Sequence, residues 1–219
     1  MSRSAHLFGV TSVKAKKTVA LATTIQDPEQ EINQLHECPK NTIEDDLNTL
    51  TFIQEAEKGW NQGLKVIVFV STDTLDSDAD RQKWIEEVKK SHAVLNEELI
   101  VLVQSKHGYE RLPELADCLN GITVTGVSVG LDVKGGMTEA LEWRNAFPWS
   151  IVKVDLGNCR SEFSQFAVYL AGLHKDAIDS LVCDVYDRSE LIMIEQLYTK
   201  YAVGRVYGKN GCLWRDVGD

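Results

Sequence analysis

Long apolar runs are missing from this 219-residue chain. The longest are strand-sized, far short of the roughly 20 apolar residues that a membrane span needs, and no apolar stretch follows the first residues. Neither a membrane span nor a signal peptide is therefore expected. An excess of positive charge is missing too: 23 Lys and Arg stand against 33 Asp and Glu, a formal net charge of −10. With no Lys/Arg block to oppose it, that field repels phosphate backbones, and direct nucleic-acid binding is not expected. The five cysteines, Cys38, Cys118, Cys159, Cys183 and Cys212, form no CxxC pair and have no His cluster nearby. This argues against a zinc site and a disulfide framework, and points to a reducing cytoplasm. His36, His92, His107 and His174 likewise show no spacing that implies a metal or a nucleophile. Repeats and low-complexity segments are absent.

What is present suffices for a globular core: 43% of the residues are hydrophobic and 26% charged, an ordinary balance. The chain reads as one domain over 1–219. From Gly63 onward, short runs rich in Val, Ile and Leu alternate with amphipathic segments, the pattern of βαβ units. Strands are predicted over 64–71, 99–104, 124–131, 151–155, 180–184 and 202–207. Helices are predicted over 80–92, 109–119, 137–146, 162–174 and 189–200, from apolar residues at i, i+3 or i+4. Before Gly63, 41–60 reads as a further helix, 5–13 and 18–25 as a hairpin, and 26–40, with Pro28 and Pro39, as a loop. Eight strands with helices between most of them predict an α/β fold, a (β/α)8 TIM-like barrel, with its chemistry at the carboxyl ends of the strands.

Three acidic residues fall at such ends: Asp132, Asp155 and Asp184. Together they could form a Mg²⁺ site; singly, each could equally cap the helix that follows. Lys153 lies two residues before Asp155 and so faces the same side of its strand, as a barrel-interior cation paired with an acid. Trp84, Trp143, Trp149 and Trp214 are of a type more often found in the core or in helix packing; the best candidate among them for a partner surface is Trp84, which follows Arg81 and Lys83 on a predicted outer helix. Gly135 and Gly136 predict a flexible turn after Asp132.

The order of these segments resembles the EAL family of cyclic di-GMP phosphodiesterases, most clearly over 64–214. Ile67-Val68-Phe69-Val70-Ser71 is similar to the family's SVNLS, and the run Leu99 to Ser105 to LVLEITE. The hallmark DDFGTGYSSL falls on Asp132 to Leu141, FLKID on Ile151-Val152-Lys153-Val154-Asp155, VVAEGVET on Leu181 to Arg188 and GQGYLF on Gly208 to Trp214. The signature Glu-Ala-Leu strand is best placed on Val19 to Thr24. Active members hold two divalent cations with carboxylates and an Asn, and the metals activate a water for attack on the phosphodiester. By this resemblance the signature Glu is Ala20, the Asn is Phe69, the acidic-strand Glu is Leu102 and the second Asp of the pair is Val133. Only Asp132, Asp184 and Lys153 keep a plausible role, so no metal, no cofactor and no hydrolysis are expected. The Arg that grips the ligand's phosphate would be Thr24, which removes a charge-assisted contact.

The resemblance therefore implies a degenerate EAL-type barrel that acts by binding. It is similar to the stand-alone EAL-like proteins of enterobacteria, one of which captures a flagellar transcription regulator, and Gly211-Cys212-Leu213-Trp214 resembles the ending of that group. With no sensor or GGDEF domain attached, the expected partner is another protein, such as a transcription regulator, and the expected process transcription, motility or biofilm control. The alternative is a non-hydrolysing cyclic di-GMP receptor. An active phosphodiesterase is the third and least supported reading.

Overall fold

A long hairpin opens the computed structural model, which describes residues 4–26, 43–60, 63–95, 98–104, 112–207 and 212–216. Its strands β1 (Ser4–Ser12) and β2 (Lys17–Gln26) pair antiparallel, with an irregularity between Val10 and Thr11. Lys16 turns the chain at φ 53, its N–H donating to the Ser12 carbonyl at 2.8 Å. The chain then alternates: α1 (Ile43–Trp60), β3 (Lys65–Ser71), α2 (Thr72–Asp76), α3 (Asp78–Val94), β4 (Leu99–Gln104), α4 (Leu112–Thr123), β5 (Ser128–Val133) and α5 (Met137–Trp143). It continues with β6 (Ile151–Asp155), α6 (Leu156–Cys159), α7 (Phe163–Lys175), β7 (Asp179–Cys183), α8 (Arg188–Gln196), β8 (Tyr201–Ala202) and β9 (Cys212–Asp216).

Strands β2 to β8 pair in sequence order and in parallel, and β1 closes the ring by pairing antiparallel with both β8 and β2. The result is the eight-stranded (β/α)8 barrel expected from the alternation. β9, which the sequence did not announce, adds antiparallel to β1 over Ser4–Phe8. Strand pleating divides the core in two. Phe8, Val10, Ala20, Ala22, Ile67, Phe69, Ile100, Leu102, Ile151, Leu181, Cys183 and Val203 fill the lumen. The alternate residues, such as Val66, Val68 and Val70 on β3, pack outward against the helices.

Two expected strands are cut short by glycine. Val124 and Thr125 look like strand residues, yet both end α4 as a helical turn, with Val124 N–H donating to the Asn120 carbonyl at 3.0 Å. Gly126 at φ +92 stops the helix, the role glycine plays just past a helix C-terminus, and β5 begins only at Ser128. Similarly β8 ends at Ala202, because Gly204 lies directly on the backbone of Val185, where a Cβ would stand 2.2 Å from the Val185 carbonyl oxygen. Val206 N–H then donates to that carbonyl at 3.2 Å, and Arg205–Tyr207 turn as a 3₁₀ helix. Of the predicted helix over 109–119, residues 109–111 lie outside the described residues, as does the predicted loop from 27 onward.

One buried acid ties α1 to the barrel. Asp46 Oδ2 accepts from Ser71 N–H at 3.1 Å and from Thr74 Oγ1 at 2.6 Å, satisfying groups where β3 passes directly into α2. Asp46→Ala is expected to cost about 1–3 kcal/mol, the penalty of stranding buried polar groups. Urea unfolding would check this, and a loss below about 0.5 kcal/mol would show that water replaces the carboxylate.

Candidate functional site

Ladder register builds a charged cluster inside the barrel. Asp132 on β5 stands opposite Lys153 on β6, and two residues on, Asp155 faces the lumen beside Cys183 on β7. Lys153 Nζ donates to Asp132 Oδ1 at 2.7 Å and to Asp155 Oδ1 at 2.9 Å. All three side chains are sealed from solvent, so the expectation of an interior lysine paired with an acid holds. Burial pushes the Asp132 carboxyl above its ordinary range, against the pull of Lys153. For Lys153 burial works downward, but the two carboxylates more than reverse it and hold the ammonium well above its usual value. Burial of a carboxylate sets the first direction, and one cation serving two acids sets the second. Burial likewise pushes the neighbouring Cys183 thiol well up, which leaves it an inert core residue rather than a nucleophile.

Around this cluster the lumen is apolar. Phe69 and Leu102 are ladder partners, and Leu102 stands opposite Gly130. A Cβ on Gly130 would lie 2.4 Å from Ile151 Cγ2 and 2.6 Å from Leu102 Cδ2; only glycine leaves room for those two side chains to meet across the barrel. Gln104, buried at the carboxyl end of β4, has an Nε2 donor with no hydrogen-bond partner among the described residues.

The sequence-predicted positions separate here. Phe69, Leu102, Asp132 and Lys153 share the lumen. Ala20 also faces inward but pairs with Lys65, the first residue of β3, whereas Ala22 pairs with Ile67. Both alanines face the lumen, two residues apart along β2. Neither alanine carries a carboxylate. Val133 points the other way, into the layer between barrel and helices, because it follows the lumen-facing Asp132 on the pleat. Asp184 follows β7 at φ 63 and is buried, with Oδ2 3.4 Å from where a Cβ on Gly157 would stand. Thr24 belongs to the backbone of β2, but its side chain lies outside the described residues. Of the stretch matched to GQGYLF, 208–211 lie outside them too, and the rest pairs with β1 as β9.

Trp84 is a correction. Singled out as the best of four candidates for a partner surface, it is fully buried in the layer between helices and barrel and packs as a core residue. Lys83, adjacent in sequence, lies on another face of α3, since neighbouring residues on a helix do not share a face, and Arg81, one turn back, carries its guanidinium away to the Leu75 carbonyl and Asp78. The Gly135-Gly136 turn, expected to be flexible, is tied at three points. Glu162 Oε2 accepts from Met137 N–H at 2.9 Å, and Asn158 Nδ2 donates to the Lys134 carbonyl at 2.9 Å. Glu139 meets the backbone of Gly135, so close that a Cβ there would overlap its carboxylate.

A metal fits this donor set poorly. A hard divalent cation takes about six or more oxygen ligands. Here Asp132 and Asp155 turn an oxygen to the Lys153 ammonium, and Phe69 and Leu102 offer none. Among the described residues no group of three or more His, Cys, Asp or Glu side chains is placed to hold a metal.

The sequence reading passed over a second cluster on the rim. The guanidinium carbons of Arg160 and Arg205 lie 5.2 and 5.4 Å from the centre of the Tyr186 ring. Arg160 also pairs with Glu190 Oε1 at 2.7 Å, while Glu190 Oε2 accepts from Tyr186 N–H at 2.7 Å. The available signal was an Arg a few residues beyond each of the strand ends at 155, 183 and 202.

No family model matches the chain, and no curated protein does. Solved structures do. An EAL domain protein from Listeria monocytogenes EGD-e is 16% identical, with a TM-score of 0.69 over 95% of this chain and 88% of its own. The EAL domain of Mycobacterium smegmatis DcpA is 14% identical, with a TM-score of 0.72 over 95% and 92%. The PaMucR phosphodiesterase, solved as a c-di-GMP complex, is 12% identical, with a TM-score of 0.70 over 95% and 96%.

Proposed function

We propose that this chain, which has the (β/α)8 barrel fold of EAL domains, does not hydrolyse cyclic di-GMP and acts as a regulator by binding another protein. The observation that carries this reading is Lys153, held between Asp132 and Asp155 at 2.7 and 2.9 Å. An ammonium gripping both carboxylates takes up oxygens that a catalytic metal would need, and Phe69, Leu102 and Ala20 line the lumen without oxygen donors. Without bound metal, no water is activated for in-line attack on a phosphodiester. A scaffold that keeps its barrel and drops its chemistry retains its surface as its means of action.

A second reading, a receptor that binds cyclic di-GMP without cleaving it, is favoured by two observations: Gln104 Nε2 is a buried donor without a partner among the described residues, and a similar EAL domain, that of Xanthomonas citri FimX, was solved with c-diGMP bound.

Titration calorimetry with cyclic di-GMP in Mg²⁺ and then Mn²⁺, followed by product analysis, separates the readings. Neither heat nor cleavage is expected at ligand concentrations well above micromolar. Heat without cleavage would move the protein to the receptor reading, and formation of the linear dinucleotide would overturn inactivity.

A further inference from the structure

The rim beyond β6, β7 and β8 gathers positive charge in a chain whose formal net charge is −10. Arg160 follows α6, Arg188 opens α8 and Arg205 follows β8. Two of them crowd the single ring of Tyr186, although like charges so placed repel. Arg160 is half-exposed and answered by Glu190. Arg188 and Arg205 are exposed and have no carboxylate partner among the described residues. Arg188 is also placed against local preference: a cation in the first turn of a helix opposes the helix dipole, which favours acids there. Nothing in the folding of α8 asks for it, since Asp187 already caps the helix by accepting from Glu190 N–H at 2.9 Å.

Apolar side chains flank this charge. Ile192 is exposed one turn beyond Arg188, on the same face of α8. Phe163 is exposed three residues beyond Arg160, and the Arg160–Glu190 pair holds the two segments together. Arginine presents a planar fork that matches a carboxylate in bidentate fashion, and Arg, Tyr and large apolar side chains are the groups that anchor protein interfaces. Tyr186 fixes the guanidiniums of Arg160 and Arg205 by stacking, which lowers the entropy lost on binding.

We propose that the rim formed by Arg160, Tyr186, Arg188 and Arg205, with Phe163 and Ile192 beside it, docks an acidic segment of a protein partner that also carries apolar side chains. This rests on the reading of the chain as a protein-binding regulator and names the surface and the chemistry of what it takes.

The test uses the full chain and a fluorescein-labelled dodecapeptide of Glu, Asp and Leu, followed by anisotropy, with a Lys/Leu peptide of equal length as the control. The acidic peptide should bind and the basic one should not, with affinity falling as salt rises. The double variant Arg188→Glu/Arg205→Glu should weaken binding by at least about tenfold, as loss of interface arginines does, while its thermal unfolding stays that of the parent. Equal binding of both peptides, no binding, or a double variant that binds as the parent would overturn the proposal. Complete displacement by millimolar inorganic phosphate would also overturn it, by making the rim a site for small oxyanions. Cyclic di-GMP cleavage by the same sample would instead sink the inactive reading, which loss of peptide binding alone leaves in place.

Discussion

Lys153→Met is expected to destabilise the barrel by about 3–5 kcal/mol, the range for breaking a buried ion pair from one side. The methionine fills a similar volume, so the loss is electrostatic: Asp132 and Asp155 would share the lumen with no cation, each sealed from solvent. The triple variant Asp132→Asn/Lys153→Met/Asp155→Asn removes every charge and should recover most of the loss, because neutral replacement of a whole buried ion cluster is often tolerated. Guanidinium unfolding of parent, single and triple variants measures both. A triple variant as unstable as the single one would show that packing, not charge, dominates the site. The pH dependence has a definite sign. Lys153 is held well above its ordinary 10.5, so its contribution is fully present below that value and fades only as pH climbs through the raised one. The parent's share from Lys153 should therefore stay nearly flat from about pH 6 to about pH 9, whereas the deficit of Lys153→Met should shrink as pH falls, because Asp132, already raised by burial, takes up a proton more readily without the cation.

Trp84→Ala should cost a comparable amount, about 3–5 kcal/mol, as large-to-small changes at fully buried aromatic sites do. Trp84 is among the largest side chains with no exposed surface, and it packs in the outer core layer under α3. Its Nε1 has no hydrogen-bond partner among the described residues, which bears on the choice of replacement. Trp84→Phe keeps most of the ring and removes the unsatisfied donor, so it should cost well under half as much as alanine. Chemical unfolding of the pair decides the matter: if alanine cost no more than about 0.5 kcal/mol, the residue would be behaving as a surface position.

These two residues mark how far the sequence could be read. Lys153 was assigned to the right face because pleating alone places it with Asp155, two residues on. That Asp132, 21 residues away, completes the cluster depends on the register between β5 and β6. Trp84 stood out as a surface candidate because its local neighbours, Arg81 and Lys83, are charged. Burial on a helix depends on which face meets the barrel, and charged residues dominate the rest of α3. The short fate of two expected strands has a similar origin: Val124-Thr125 and 203–207 carry strand-type side chains, but Gly126 and Gly204 decide where the chain turns.

By itself the sequence determined the alternation of strands and helices, hence the eight-stranded barrel, the acidic character and the scarcity of metal-binding side chains along the strands. These are local or compositional properties, carried by periods of two and about 3.6 residues. Tertiary structure alone decided that Lys153 serves two acids, that Trp84 is buried and that Arg160 and Arg205, from beyond two different strand ends, meet over Tyr186. Each of these depends on ladder register and barrel closure, which bring together residues tens of positions apart and which no local pattern encodes.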